Sequence, residues 1–269
     1  MLSLILFCIS TFALSIASAV EKPMVVVIPS FNNRDWYELN LESVLQQNYR
    51  NFRVIYIDDH STDGTGELVR EYLRKNDWEE RVHLIHNSER MGALYNIYHA
   101  VWSCDPEEII VTVDGDDWLF HENVLKRLNQ IYADPDVWMT YGQYIEFPDG
   151  GAGHCQMIPP HVIENNSYRS YAWVSSHLRT FYASLFHLIA YDDFLFQGEF
   201  YSAAWDLAFM FPLLEMSSSH FRFIPDVFYV YNQASPINDY KLRRELQLFY
   251  EQVIRSMIPY ETIETPFGD

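Results

Sequence analysis

Cations and cysteines are what this chain has least of. Its 269 residues carry 18 Lys and Arg against 37 Asp and Glu, a formal charge of −19. That balance argues against a protein that grips nucleic acid through its phosphates, because no basic stripe is available to displace counterions. An anionic ligand would need a metal cation or helix N-termini instead. Of three cysteines, Cys8 lies in an apolar opening run, leaving Cys104 and Cys155, which permit one disulfide but no disulfide framework. His154 with Cys155 has no matching second pair at finger-like spacing, so no zinc pattern forms. With only 10 Gly and 12 Pro against 49% hydrophobic and 16% aromatic residues, disordered, collagen-like and low-complexity classes are excluded. Internal repeats and linker-like composition breaks are missing too, so one continuous globular domain is the simplest organisation.

What is present begins with "MLSLILFCISTFALSIASAVEKP", uncharged up to Glu21 and carrying small residues at Ala17-Ser18-Ala19. It lacks a basic n-region and lies near the lower length limit for a membrane span. Residues 1–21 therefore read as a signal peptide or an N-terminal anchor, with membrane association through that segment, and residues 22–269 as the folded domain.

Four short runs rich in β-branched residues, "MVVVIPS", "FRVIYIDD", "RVHLIHN" and "EIIVTVDG", read as strands buried on both faces. Amphipathic helical patterns separate them: "DWYELNLESVLQQNY", "DGTGELVREYLRKN" and "MGALYNIYHAVWSC". Strand and helix alternating four times imply right-handed crossovers, hence an α/β fold with a doubly wound, mostly parallel sheet covered by helices on both faces. "FHENVLKRLNQIYADPD" supplies a further helix and "DVWMTYGQYIEF" a further strand; residues 148–166 read as a loop or mobile lid. Beyond them, helices are expected around "HLRTFYASLFHLI", over "AAWDLAFMFPLLEMS" and at "YKLRRELQLFYEQVIRSM", with a strand at "FRFIPDVFYVYN". This is an elaborated C-terminal half.

Ligands of such sheets bind at the carboxyl ends of the strands, near a topological switch point. There the sequence places Pro29-Ser30-Phe31-Asn32-Asn33, Asp58-Asp59 with "HSTDGT", Asn87 followed by Arg90-Met91-Gly92, and Asp114-Gly115-Asp116-Asp117. Carboxylates behind a buried strand suit a hard cation such as Mn²⁺ or Mg²⁺, which keeps positions open for phosphates. A solvated turn, with Asp117 capping the next helix, is the alternative reading of the same residues. Asp63 fits an N-cap better than Asp59 does.

In order and spacing, "VVVIPSFNN", "IDDHSTDGT" and "VDGDDW" resemble the opening strand, nucleobase turn and Asp-x-Asp motif of family 2 glycosyltransferases, which have the GT-A fold. The resemblance runs from about Met24 to Trp118, and more weakly to about Tyr240. It implies a metal-dependent, inverting transfer of a sugar from a nucleotide-diphosphate donor, typically a UDP-sugar, to an acceptor hydroxyl on a glycan, lipid or other molecule. It implies that Pro29, Ser30, Phe31 and Asn32 line the nucleoside pocket and that Asp59, with Asp58 beside it, meets the base. Asp114 would approach the ribose or the metal, and Asp116 would bind the metal. Residues 24–147 would form the nucleotide-sugar half and 148–269 the acceptor half.

The resemblance also implies a base at the start of a C-terminal helix, where Asp206 is the candidate and Glu199 the reserve. Trp205 stands where the family often has a second acid, and the structural alternative for Asp206 is an N-terminal-turn aspartate favoured by the helix dipole. His177 and Arg179 resemble an acceptor-side or diphosphate-side pair, against the alternative of one exposed helix face. Arg90, a lone loop arginine, is left outside the core site. Two other functions stay open: a catalytically inactive binding module, and a sugar-nucleotidyltransferase, although "PSFNNRDW" lacks that class's glycine-rich basic loop. Location stays open as well. The leader suggests a secretory lumen supplied with donors, or an anchor leaving the domain on the cytosolic face.

Overall fold

The computed structural model describes residues 20–235 and 243–267. Most of the expected leader, residues 1–19, lies outside them. Among the described residues no helix is long and apolar enough to cross a membrane.

The core is an eight-stranded sheet built from β1 (Met24–Ser30), β2 (Phe52–Asp58), β3 (Val82–His86), β4 (Ile109–Thr112), β5 (Trp118–Leu119), β6 (Met139–Phe147), β7 (Arg179–Tyr182) and β10 (Phe221–Asn232). Its order is β3-β2-β1-β4-β7-β6-β10-β5, and all but β7 and β5 run in one direction. β8 (Leu195–Phe196) and β9 (Glu199–Phe200) make a separate hairpin. The doubly wound, mostly parallel sheet expected from the sequence is what forms. After β3 the chain crosses back to place β4 on the other side of β1, so the switch point lies between β1 and β4.

Alternation along each strand feeds two cores. Val25 and Val27 of β1 join Ile55, Ile57 and Ile110 on one face, while Met24, Val26 and Ile28 join Val54, Tyr56 and Val111 on the other. Helices α1 (Tyr37–Leu45), α2 (Thr65–Lys75) and α4 (Val124–Ile131) cover the second face; α3 (Ala93–Trp102) and α7 (Trp205–Ser217) cover the first. Helix α7 is buried throughout Leu207–Ser217, which explains why its apolar residues show no single stripe.

Two expectations need correction. The stretch "HLRTFYASLFHLI" is not mainly helical: Arg179–Tyr182 is strand β7, antiparallel between β4 and β6, and only α6 (Ala183–His187) follows as helix. A short apolar run of this kind has no period that separates strand from helix, and its central position decided the outcome. Thr180 fits there because its hydroxyl lies 2.7 Å from that of Thr140 and 2.8 Å from that of Tyr132. Nor is 148–166 a free lid. Cys155, Ile158 and Val162 are buried, the last within α5 (Pro160–Glu164), and the Tyr141 hydroxyl donates to Gln156 O at 2.9 Å and accepts from Ile158 N at 3.1 Å. Cys104 and Cys155 are both buried free thiols, so the disulfide their number permitted does not form.

The last described helix, α8 (Arg244–Arg255), is held by a buried ion pair. Arg169 grips Glu215 of α7 in a two-pronged contact, Nε to Oε1 at 2.6 Å and Nη2 to Oε2 at 2.9 Å, and donates through Nη1 to Ile254 O at 2.6 Å. The start of the closing helix expected from Tyr240 lies outside the described residues. Removing one member of a buried pair strands the other charge. Arg169→Met should therefore lower unfolding stability by about 3–5 kcal/mol in a denaturant melt, and adding Glu215→Leu should recover most of the loss. A single variant as stable as the parent would show that the pair holds nothing.

Candidate active site

A cavity of about 1020 Å³ opens at the switch point, above the carboxyl ends of β1 and β4. Pro29, Ser30 and Phe31 line it, as expected, but Asn32 is turned away: its Oδ1 accepts from Thr62 N at 2.8 Å and its own N–H donates to Ser61 Oγ at 2.9 Å. Asn33, placed on the rim by the sequence but not assigned to the nucleoside pocket, takes its place in the lining. The Ser30 hydroxyl oxygen accepts from Tyr56 Oη at 2.8 Å and Asn33 Nδ2 at 3.0 Å. Gly115 sits on this group so closely that a Cβ there would lie 2.6 Å from both Ser30 Oγ and Asn33 Nδ2. That contact is why the acidic turn has glycine between its aspartates.

Two successive aspartates at the end of β2 point in opposite directions. Asp59 faces the cavity and is 3% exposed; Oδ1 accepts from Asn87 Nδ2 at 2.8 Å and Met91 N at 2.9 Å, and Oδ2 from Gly92 N at 2.8 Å. Asp58 lies against the flank, its Oδ2 3.3 Å from His86 Nδ1 and packed beside Gly66, so the structure does not bring it to the cavity. By fixing the 87–92 loop, Asp59 delivers Arg90, whose guanidinium lies 3.8 Å over the Phe31 ring in the cavity wall. Sequence reasoning left Arg90 out. Its place behind the third strand was the available signal.

The three aspartates of the turn separate in role. Asp117 is 1% exposed and accepts from Tyr229 Oη at 2.6 Å and Asn232 N at 2.7 Å, which braces the turn to β10. Capping is corrected, since α4 begins only at Val124 and follows Asn123. Burial, with Asp116 and Asp114 adding repulsion, pushes the Asp117 carboxyl well above the ordinary range, while its two hydrogen bonds pull the other way. Asp114 and Asp116 are partly exposed and line the cavity.

On the far wall stands Arg179, 1% exposed. Nη1 donates to Asp206 Oδ2 at 3.0 Å; Nη2 lies 3.5 Å from Asp114 Oδ2 and 3.1 Å from His177 Nδ1. The exposed-helix alternative for His177 and Arg179 is thereby overturned, because both are buried and Arg179 belongs to a central strand. His177 stacks on Tyr229 at 4.5 Å; burial, then the Arg179 charge and His154, hold its pKa well below the usual value, so it is neutral.

Asp114, Asp117 and His177 offer ligand atoms within 4.8 Å of one another, a set that excludes Asp116. That set fits a metal poorly. Arginine can only donate, so His177 Nδ1 must be the accepting nitrogen and its proton sits on Nε2, leaving no lone pair for an ion. Both Asp117 oxygens are committed to buried donors. Asp114 and Asp116, which both line the cavity, carry the hard carboxylate oxygens that Mn²⁺ or Mg²⁺ prefers.

Asp206 is the second residue of α7, and its carboxylate faces the same cavity. Burial raises its pKa above the ordinary 3.8, and the attraction of Arg179 opposes the rise. Trp205 places its ring 5.2 Å from the Arg179 guanidinium carbon, walling that cation in. Glu199 is exposed on β9 and takes no part in the lining. Residues from α8, Gln247 and Glu251, complete the rim, as does His154, whose Nδ1 lies 2.8 Å from Tyr144 Oη.

A family model for Glycosyl transferase family 2 matches residues 25–187. The chain belongs to that family. Among curated family relatives, glycosyltransferase GlyG of Streptococcus pneumoniae is 29% identical over 124 residues, 46% of this chain and 40% of that protein. The chain thus matches well under two thirds of that relative's length. Solved structures with the same fold include Staphylococcus aureus TarS 1-349 in complex with UDP-GlcNAc, at TM-score 0.61 and 17% identity over 87% of this chain and 70% of that one. Another is the mannosyltransferase PcManGT of Pyrobaculum calidifontis in complex with GDP-Man and Mn²⁺, at TM-score 0.58 and 21% identity over 89% and 66%.

In this family member the aspartates of the turn should separate on mutation. Asp117→Ala leaves two buried donors unsatisfied and is expected to cost about 2–4 kcal/mol of stability. Asp116→Ala should stay within about 1 kcal/mol. Denaturant melts of the two variants decide, and equal losses would contradict the division.

Proposed function

We propose that the chain is a metal-dependent, inverting glycosyltransferase that moves a sugar from a UDP-sugar to an acceptor hydroxyl. One observation carries the reading: a single cavity joins the Phe31 and Asp59 rim, the carboxylates of Asp114 and Asp116, and Asp206 at the start of α7. The nucleotide-sugar complexes of TarS and PcManGT support it by fold. Residues 24–147 supply the donor side, and 148–269 supply the acceptor side through Asp206.

Phe31 and the Arg90 guanidinium stacked on it offer flat faces to a nucleobase, and Asp59 keeps acceptor capacity for a base N–H. Asp114 and Asp116 would hold the metal. A divalent ion there would neutralise charge on the departing diphosphate, worth several kcal/mol in such reactions. Asp206 takes the proton from the acceptor hydroxyl as its oxygen bonds the anomeric carbon. The bond from that carbon to the diphosphate oxygen breaks on the opposite side, and its electron pair leaves with UDP. A carboxyl raised by burial is a stronger base than an ordinary one, which suits this step.

Release of UDP from a panel of UDP-sugars with Mn²⁺ tests the reading. Asp116→Ala should lose metal-dependent turnover, and Asp206→Asn should lower kcat by about 10²–10⁴-fold while still binding donor. Nucleotide binding without UDP release by the wild type would favour the inactive-module alternative. Because Asp206 must be ionised to act, kcat should fall as pH drops through a value above the ordinary carboxyl 3.8, the direction set by its burial. An acidic limb at or below the ordinary value would contradict the assignment.

A further inference from the structure

Arg179 is a charged side chain in the middle of a sheet, a position where taking the ion out of water is costly unless its partners compensate. Its partners come from two separate elements that line the cavity. Asp114 follows β4 and lies 3.5 Å from Nη2; Asp206 opens α7 and lies 3.0 Å from Nη1. These acids stand 92 positions apart in sequence, the difference between 206 and 114, and no backbone pairing joins β4 to α7.

We propose that Arg179 is a positioning residue that fixes the separation between the donor-side Asp114 and the base Asp206. The inference rests on the transfer reaction proposed above. A guanidinium is a rigid plane with donors at set angles, so two carboxylates on its two Nη atoms cannot drift independently. The plane is itself locked: Nε lies 3.4 Å from Thr112 Oγ1, His177 Nδ1 accepts from Nη2 at 3.1 Å, and Trp205 covers the face. His177 is held in turn by its stack on Tyr229, and Tyr229 also braces Asp117. Donor phosphate near Asp114 and acceptor hydroxyl near Asp206 are thereby kept at one spacing, which in-line transfer requires. Lysine would keep the charge and lose the fork.

Two measurements test this, and only the second needs turnover. The first is a thermal-unfolding cycle with Asp114→Asn and Asp206→Asn, singly and together, in the Arg179 and Arg179→Met backgrounds. With Arg179 present the two Tm shifts should be non-additive by about 3 °C or more, since removing both acids strands a buried cation. With Arg179→Met they should add to within about 1 °C; if that background fails to fold, Arg179→Lys replaces it and the non-additivity should shrink by at least half. Additive shifts with Arg179 present would overturn the proposal. The second compares Arg179→Lys with the wild type: kcat for UDP release should fall about 100-fold while UDP affinity with Mn²⁺ changes less than about threefold. Unchanged kcat, or a loss of affinity equal to the loss of kcat, would overturn it. A wild type that turns over no UDP-sugar would count against the transferase reading alone, and the cycle would still judge the clamp.

Discussion

Everything about the cavity depends on one buried carboxylate. Asp117, held by the Tyr229 hydroxyl and the Asn232 amide, ties the turn after β4 to the strand that closes the other half of the sheet. That tie works beside the pairing of β5 with β10 and the Arg179 bridge between Asp114 and Asp206 to fix the turn against the C-terminal elements. The same Tyr229 hydroxyl accepts from Asp114 N at 3.1 Å, and Asn40 Nδ2 donates to Asp114 O and Asp117 O at 3.0 and 2.7 Å, so backbone and side chains of the turn are fixed together. One aspartate is thus used for architecture, while its neighbours Asp114 and Asp116 line the cavity.

Charge is the second constraint, and it explains an otherwise odd composition. A chain with a formal charge of −19 presents acids at the place where the proposed reaction would seat a diphosphate. Arg179, Arg90 and Arg243 are the arginines of the wall, the first buried between acids and the second spread over an aromatic ring. The remaining negative charge on Asp114 and Asp116 is what a divalent cation would answer, and its demand for oxygen ligands fits those two side chains better than the histidine nearby.

Much of this was legible in the residues because it depends on local pattern. β1 and β2 fall where β-branched runs placed them, since strands buried on both faces need no partner to be recognised. The family resemblance puts both Asp58 and Asp59 at the nucleobase; alternation makes neighbouring side chains diverge, but only the contacts of Asp59 with the 87–92 loop show which one faces the cavity. What escaped was set by distant contacts. Arg179–Tyr182 became a strand because a gap between β4 and β6 had to be filled, which no window of sequence records. Asp117 looked like a cap because its acceptors' partners, Tyr229 and Asn232, lie over a hundred residues away. Asn32 and Asn33 could not be told apart because one turn of backbone decided which faced inward.

The most direct test of the division among the three aspartates is a crystal structure with UDP and Mn²⁺, in which the anomalous signal locates the ion. The account predicts a peak bridged by Asp114 and Asp116 to the diphosphate, with the uracil against Phe31 and Asp59 and with Asp117 still bonded to Tyr229. A peak inside the group formed by Asp117 and His177, or a nucleotide bound away from the crevice between β1 and β4, would contradict it.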